Sequence, residues 1–313
     1  MFKENSLLNT DCGNQKTGPV KKFVSKWGLA YAFLLPAIVA MGVYLVYPVI
    51  WSFVLSFQKW DGLGTPEFVG FKNYIKLFKM SAFKKALSHT LYYSLGSVTL
   101  SVLLGLGLAL AIERRVWGWQ FYKFVFYISV MLSTSVVGIM FVQLLEPNTG
   151  IFNKLLDLIG LSSFKHAWLA DFKTALPTVV FISVWKNSGF TMLLFLAAME
   201  GIDPSIHEAA TLDGVTTWQR IIHIILPIIK RPIFVVILLQ LIFSLKAFDT
   251  VWIVTKGGPG GATELLTTLL FRNATEYMNY GLASAISVVM IIVIAIVTII
   301  YLMTSRLGNQ VVE

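Results

Sequence analysis

Charge disappears from long stretches of this chain, and the stretches recur at membrane-spanning length. Residues 27–58, 86–112, 124–145 and 277–305 hold no charged side chain. Residues 174–199 are interrupted only by Lys186, and 232–255 only by Lys246 and Asp249. A helix needs about 20 apolar residues to cross the hydrocarbon core. Backbone groups in lipid must bond within their own segment, so such runs read as helices. The pattern predicts an all-α polytopic membrane protein with six transmembrane helices, over about 28–57, 87–112, 124–145, 174–199, 232–255 and 281–303.

Composition agrees. The 313 residues are 56% hydrophobic and only 13% charged, against roughly 25% charged in soluble domains. The net charge of +9 could point to nucleic acid, but the basic residues sit between the apolar runs and no nucleic-acid motif is present. Nucleic acid is therefore excluded as a partner and membrane lipid expected. Residues 1–26 carry Lys16, Lys21, Lys22 and Lys26 among polar residues and read as a disordered basic tail. The run that follows is too long for a signal-peptide core and is expected to remain in the mature chain. Cys12, the only cysteine, allows no internal disulfide. Lysine and arginine divide almost evenly between the two sides, so charge bias sets no orientation.

One long segment between spans, 200–231, is too polar to cross. Asp203 suits a helix N-cap and Pro204 the first helical position. Residues 205–213 fit a short helix, and Gly214 fits a left-handed C-terminal cap. Thr216 or Thr217 starts a second helix, which Pro227 kinks or interrupts. The prediction is a helix, a turn and a second helix lying at the membrane surface, where a partner can grip them.

Glu208-Ala209-Ala210, then Gly214, Ile224 and Leu226-Pro227 resemble the EAA loop of bacterial ABC-importer permeases. Further segments agree with the sugar-type branch, which includes maltose and glycerol-phosphate permeases. Tyr47-Pro48 with Ser52 to Phe57 and Trp60 resembles its first span. Residues 68–74 resemble its first external loop, and Phe248-Asp249 with Thr255 to Pro259 the end of its fifth span. The resemblance covers roughly residues 25–308.

It implies a type I ABC importer permease fold in a bacterial cytoplasmic membrane, with both termini cytoplasmic. The short helix would be the coupling helix that docks on a cytoplasmic ATPase. Glu208 would meet a basic residue there, Ala209 and Ala210 would allow close approach, Gly214 would make the turn, and Asp213 counts among the coupling residues. Implied partners are a second, different permease, two ATPase subunits, an external solute-binding protein and a sugar. ATP and Mg would be bound by the ATPase. No cofactor is expected in this chain, which has no Gly-x-x-x-x-Gly-Lys-Ser/Thr phosphate loop and is not expected to be an enzyme. His89, His166, His207 and His223 are scattered, so no metal site is expected.

Ionisable residues inside spans are costly and therefore candidates for function. Ser183, Lys186, Asn187 and Phe190 share one helix face, and Gln240, Phe243 and Ser244 share another. Both faces mix hydrogen-bonding groups with an aromatic ring, as sugar recognition requires. By the resemblance these seven fall at sugar-lining positions; the alternative is that they pack against another helix or subunit. Lys246 and Asp249, three apart, are expected to pair with each other. The two intramembrane lysines suggest an anionic cargo, such as a uronic-acid oligosaccharide or a glycerol phosphodiester. A competing class is an ion-coupled secondary carrier, but no motif occurs twice, as the internal repeats of such carriers would require. An intramembrane enzyme would need a nucleophile and base at membrane depth, and the spans offer none.

Overall fold

A computed structural model describes residues 32–113 and 117–304. The basic tail over 1–26 and Cys12 lie outside the described residues. The chain divides into two compact units, Met1–Trp51 and Ser52–Glu313. Helix α1 runs Ala32–Leu55 and winds as a π-helix over Gly42–Val46. In the first unit the rings of Tyr47 and Trp51, one turn apart, stack at 6.3 Å.

In the second unit a two-stranded hairpin, β1 (Gln58–Lys59) against β2 (Glu67–Phe68), leads to α2 (Lys72–Lys79). Asn73 ties this loop down by donating to the carbonyls of Ser56 and Gln58 at 2.9 and 2.8 Å. The Tyr74 hydroxyl donates to Ser56 Oγ at 2.7 Å. Helix α3 (Ser81–Glu113) follows and, at 33 residues, is about 50 Å long. Then come α4 (Trp119–Met131), α5 (Thr134–Leu144), α6 (Ile151–Leu158) and α7 (Ala175–Glu200). The remaining helices are α8 (Pro204–Leu212), α9 (Thr217–Ile228), α10 (Lys230–Leu245), α11 (Asp249–Val254), α12 (Leu266–Thr275) and α13 (Tyr280–Thr304).

Four helices, α1, α3, α7 and α13, are long and apolar enough to cross a membrane alone. The total reaches six if each of two bent pairs, α4 with α5 and α9 with α10, counts as one span. The uncharged run 124–145 is not one rod: α4 and α5 meet at 98°. Ser133 starts the new direction, accepting the Val136 N–H at 3.2 Å as an N-cap. The run 232–255 is also divided. Helix α10 ends at Leu245, and Phe248 takes a non-helical conformation before α11 begins. This break overturns the expected pairing of Lys246 with Asp249. Helical i,i+3 geometry is lost between them, and no ion pair joins them among the described residues.

Between helices in lipid there is little hydrophobic drive, so close packing and buried hydrogen bonds hold the bundle. Helices α3 and α7 pack along their lengths around Val98, Val102, Met192, Phe195 and Met199, all buried. Gly189 lets α7 meet α4: a Cβ there would run into the Phe126 carbonyl oxygen. Between α11 and α13, Arg272 of α12 pairs with Glu264 and Glu276 and donates to the Lys256 carbonyl. Burial pushes the Glu264 carboxyl up, with Arg272 pulling against that shift. The α13 face carrying Ile291, Ile292, Ile296 and Ile299 is half exposed, a surface suited to lipid rather than water.

Candidate functional site

Two regions hold the sequence-predicted residues. The first is a polar cavity of about 260 Å³ among α3, α5, α7, α10 and the α10–α11 break. Ser183, Lys186, Asn187, Gln240, Phe243 and Ser244 all line it; Phe190, one turn further along α7, does not. Sequence reasoning missed Tyr93, Ser97 and Ser101 of α3 and Thr134 of α5, which complete the wall. The α3 residues fall at i, i+4 and i+8, a spacing that marks one helix face.

Much of the polarity in this wall is already engaged. Tyr93 donates to Ser183 Oγ at 2.8 Å, and Asn187 Nδ2 to the Ser183 carbonyl at 2.9 Å. Gln240 Nε2 donates to Thr191 Oγ1 at 2.7 Å, joining α10 to α7. Lys186 Nζ donates to the Leu132 carbonyl at 3.2 Å. Leu132 ends α4 at the bend, where the ladder releases carbonyls that need a partner inside a membrane. Lys186 thus stabilises the bend, and an ammonium has further donors to offer the cavity. Lys246 and Asp249, both exposed, share the lining, so the cavity carries two ammonium groups and one carboxylate. The Phe243 ring is 55% exposed.

The second region is the surface loop. Asp203 caps α8 by accepting the Ser205 N–H at 2.9 Å, a bond that holds its carboxyl below the ordinary aspartate range. Gly214 takes φ +66° and closes the helix. Its N–H donates to the Thr211 carbonyl, and that of Val215 to the Ala210 carbonyl, the two bonds of a Schellman motif. Thr216 and Gln219 form a reciprocal capping box that starts α9. Pro227 cannot bond back one turn. The preceding Arg220–Ile225 winds as a π-helix, and α9 meets α10 at 71°.

Glu208, Ala209, Asp213 and Gly214 are exposed, but Ala210 is buried, 6% accessible. Ala210 therefore seats α8 on its own chain rather than facing outward. Two further residues of the loop were not legible beforehand. Arg220 donates to Glu113 Oε1 at 2.5 Å, and His207 Nε2 lies 4.0 Å from the same oxygen. Glu113 ends α3, distant in sequence.

The family model described as binding-protein-dependent transport system inner membrane component matches residues 101–308. The chain belongs to this family of importer permeases. It is a transport subunit, not an enzyme. It is 32% identical over 295 residues to the trehalose/maltose transport system permease protein MalF of Thermococcus litoralis, covering 94% of this chain and 98% of that one. It is 34% identical to the probable ABC transporter permease YurN of Bacillus subtilis, covering 90% and 97%. A crystal structure of a bacterial ABC transporter involved in import of the acidic polysaccharide alginate superposes with a TM-score of 0.81 at 26% identity, covering 92% of this chain and 98% of that one. The permease has the type I importer fold.

Proposed function

We propose that this permease forms one half of the pathway of an ATP-driven importer for an acidic oligosaccharide. A second, different permease supplies the other half, and two cytoplasmic ATPase subunits, which bind the ATP and Mg, drive it. A solute-binding protein delivers the cargo from outside. The loop 200–231 and both termini face the cytoplasm, and Glu208 on α8 meets the ATPase. The observation that carries the reading is the cavity: hydroxyl and amide groups, an open aromatic ring, and two lysines against the single carboxylate of Asp249, a net positive wall. A sugar needs the first two kinds of group, and a carboxylate suits the third. Import of alginate by a structural relative supports the same choice. Six spans remain the count in this reading, with α4–α5 and the α10–α11 run each crossing once.

The complex reconstituted in vesicles tests this directly. Uptake of a labelled uronate oligosaccharide is expected only with ATP, ATPase and binding protein together. Uptake driven by an ion gradient without the ATPase would overturn the assignment. Lys186→Gln sharpens the cargo class. Loss of one charge-assisted contact predicts that preference for the acidic over the neutral oligosaccharide falls about tenfold. Unchanged preference would remove the acidic cargo while leaving the importer in place.

A further inference from the structure

Three elements converge on one carboxylate at the inner end of α3. Glu113 is its last residue, Arg220 comes from α9, and His207 from α8, next to Glu208. The three side chains are 16%, 29% and 25% exposed, so the contact is partly withdrawn from water. A fully exposed pair would be worth little; one partly desolvated is screened less. Around it the packing is apolar: Ile202 and Ile225 enter the cluster that holds Ala109 and Ile112 of α3. Apolar packing resists separation but fixes direction weakly, whereas a charged hydrogen bond fixes both. Helix α3 then runs unbroken from Glu113 back through Ser101, Ser97 and Tyr93 of the cavity wall. From Glu113 to Ser101 is about 18 Å of continuous helix.

We propose that Glu113, with Arg220 and His207, is the joint through which movement of the coupling helix enters α3 and so reaches the cavity wall. Glu113 and Arg220 are positioning residues that touch neither cargo nor nucleotide. The inference rests on α8 being the ATPase-docking helix. A carboxylate bonded by Arg220 of α9, with His207 of α8 lying 4.0 Å away, makes the helix–turn–helix and the end of α3 shift as one body. Motion at the exposed loop then tilts a helix whose far side carries the polar lining, a rigid-body switch of the kind that packed interfaces allow.

The test uses the full complex in vesicles, with copurification of the ATPase as a second readout. Arg220→Met and Glu113→Gln are each expected to lower uptake about tenfold, in the range of ordinary coupling energies, with the ATPase still bound. The exchanged pair Glu113→Arg with Arg220→Glu restores the contact in reverse and is expected to recover most of the uptake. Normal uptake in either single variant overturns the proposal, and so does an exchange no better than the singles. Loss of the bound ATPase from Arg220→Met also overturns it, because the residue would then act in docking. Glu208→Lys separates the underlying reading: if that variant keeps both ATPase and uptake, α8 is not the docking helix, whatever the joint variants do.

Discussion

The cavity and the loop treat their polar groups in opposite ways. In the cavity, Ser183, Asn187 and Gln240 spend hydrogen bonds on Tyr93, on the backbone and on Thr191, and Lys186 holds the bend at Leu132. On α8, the caps are satisfied locally while Glu208 and Asp213 point outward. One region uses much of its polarity to hold helices together; the other leaves its charged side chains open. Exposure therefore says more about contact with a partner than polarity does. Under the proposed function, the exposed Phe243 and Lys246 are better placed to meet cargo than the buried Ser183 and Gln240.

The largest effect is expected where the outward region depends on backbone shape. Gly214→Val puts a β-branched residue at φ +66°, a conformation such residues rarely adopt. The turn is expected to shift, the α8 end with it, and uptake to fall about tenfold or more while ATP hydrolysis continues. Equal melting temperatures for the variant and unmodified complex would confirm that the spans are untouched. Coupled, undiminished uptake would show that the turn geometry does not matter and would erase half of the contrast.

A smaller effect is expected at Phe243. Removing the ring in Phe243→Ala leaves every hydrogen bond named above in place. The half-saturating cargo concentration is expected to rise about fivefold, the size of a lost aromatic contact, with the melting temperature unmoved. If the variant instead releases the sister permease, the ring belongs to the subunit interface.

What was legible follows the same division. The loop was readable in advance because each of its features is local. Asp203, Pro204, Gly214 and Thr216 act on backbone within a few residues of themselves, and all four stand where that chemistry requires. The six cavity residues on α7 and α10 were readable from helical spacing. Tyr93 and Ser97 carried the same spacing signal, but Tyr92, Ser94 and Thr99 scatter polar groups around the helix and blur it. The 98° bend at Leu132 was not readable, because no proline marks it and its stabilising partner, Lys186, lies 54 positions away. Arg220 and Glu113 are 107 positions apart, beyond any local rule. Lys246 and Asp249 misled because helix spacing was assumed across a break that begins at the lysine itself.

The smallest expected effect lies deepest. Tyr93 is 1% exposed and its hydroxyl donates to Ser183. Tyr93→Phe keeps the ring that packs among Val179, Val180 and Ile182 and removes one donor. Ser183 Oγ still accepts from Asn187 Nδ2 at 3.2 Å, so it is not stranded. The cost is therefore expected near the lower end for a buried hydrogen bond, about 0.5 to 1 kcal/mol, visible as a small fall in the melting temperature of the purified complex. Uptake is expected to stay at the unmodified rate. An unchanged melting temperature with collapsed uptake would mean that this hydroxyl serves the cargo rather than the bundle, and that burial does not separate the two kinds of polar group.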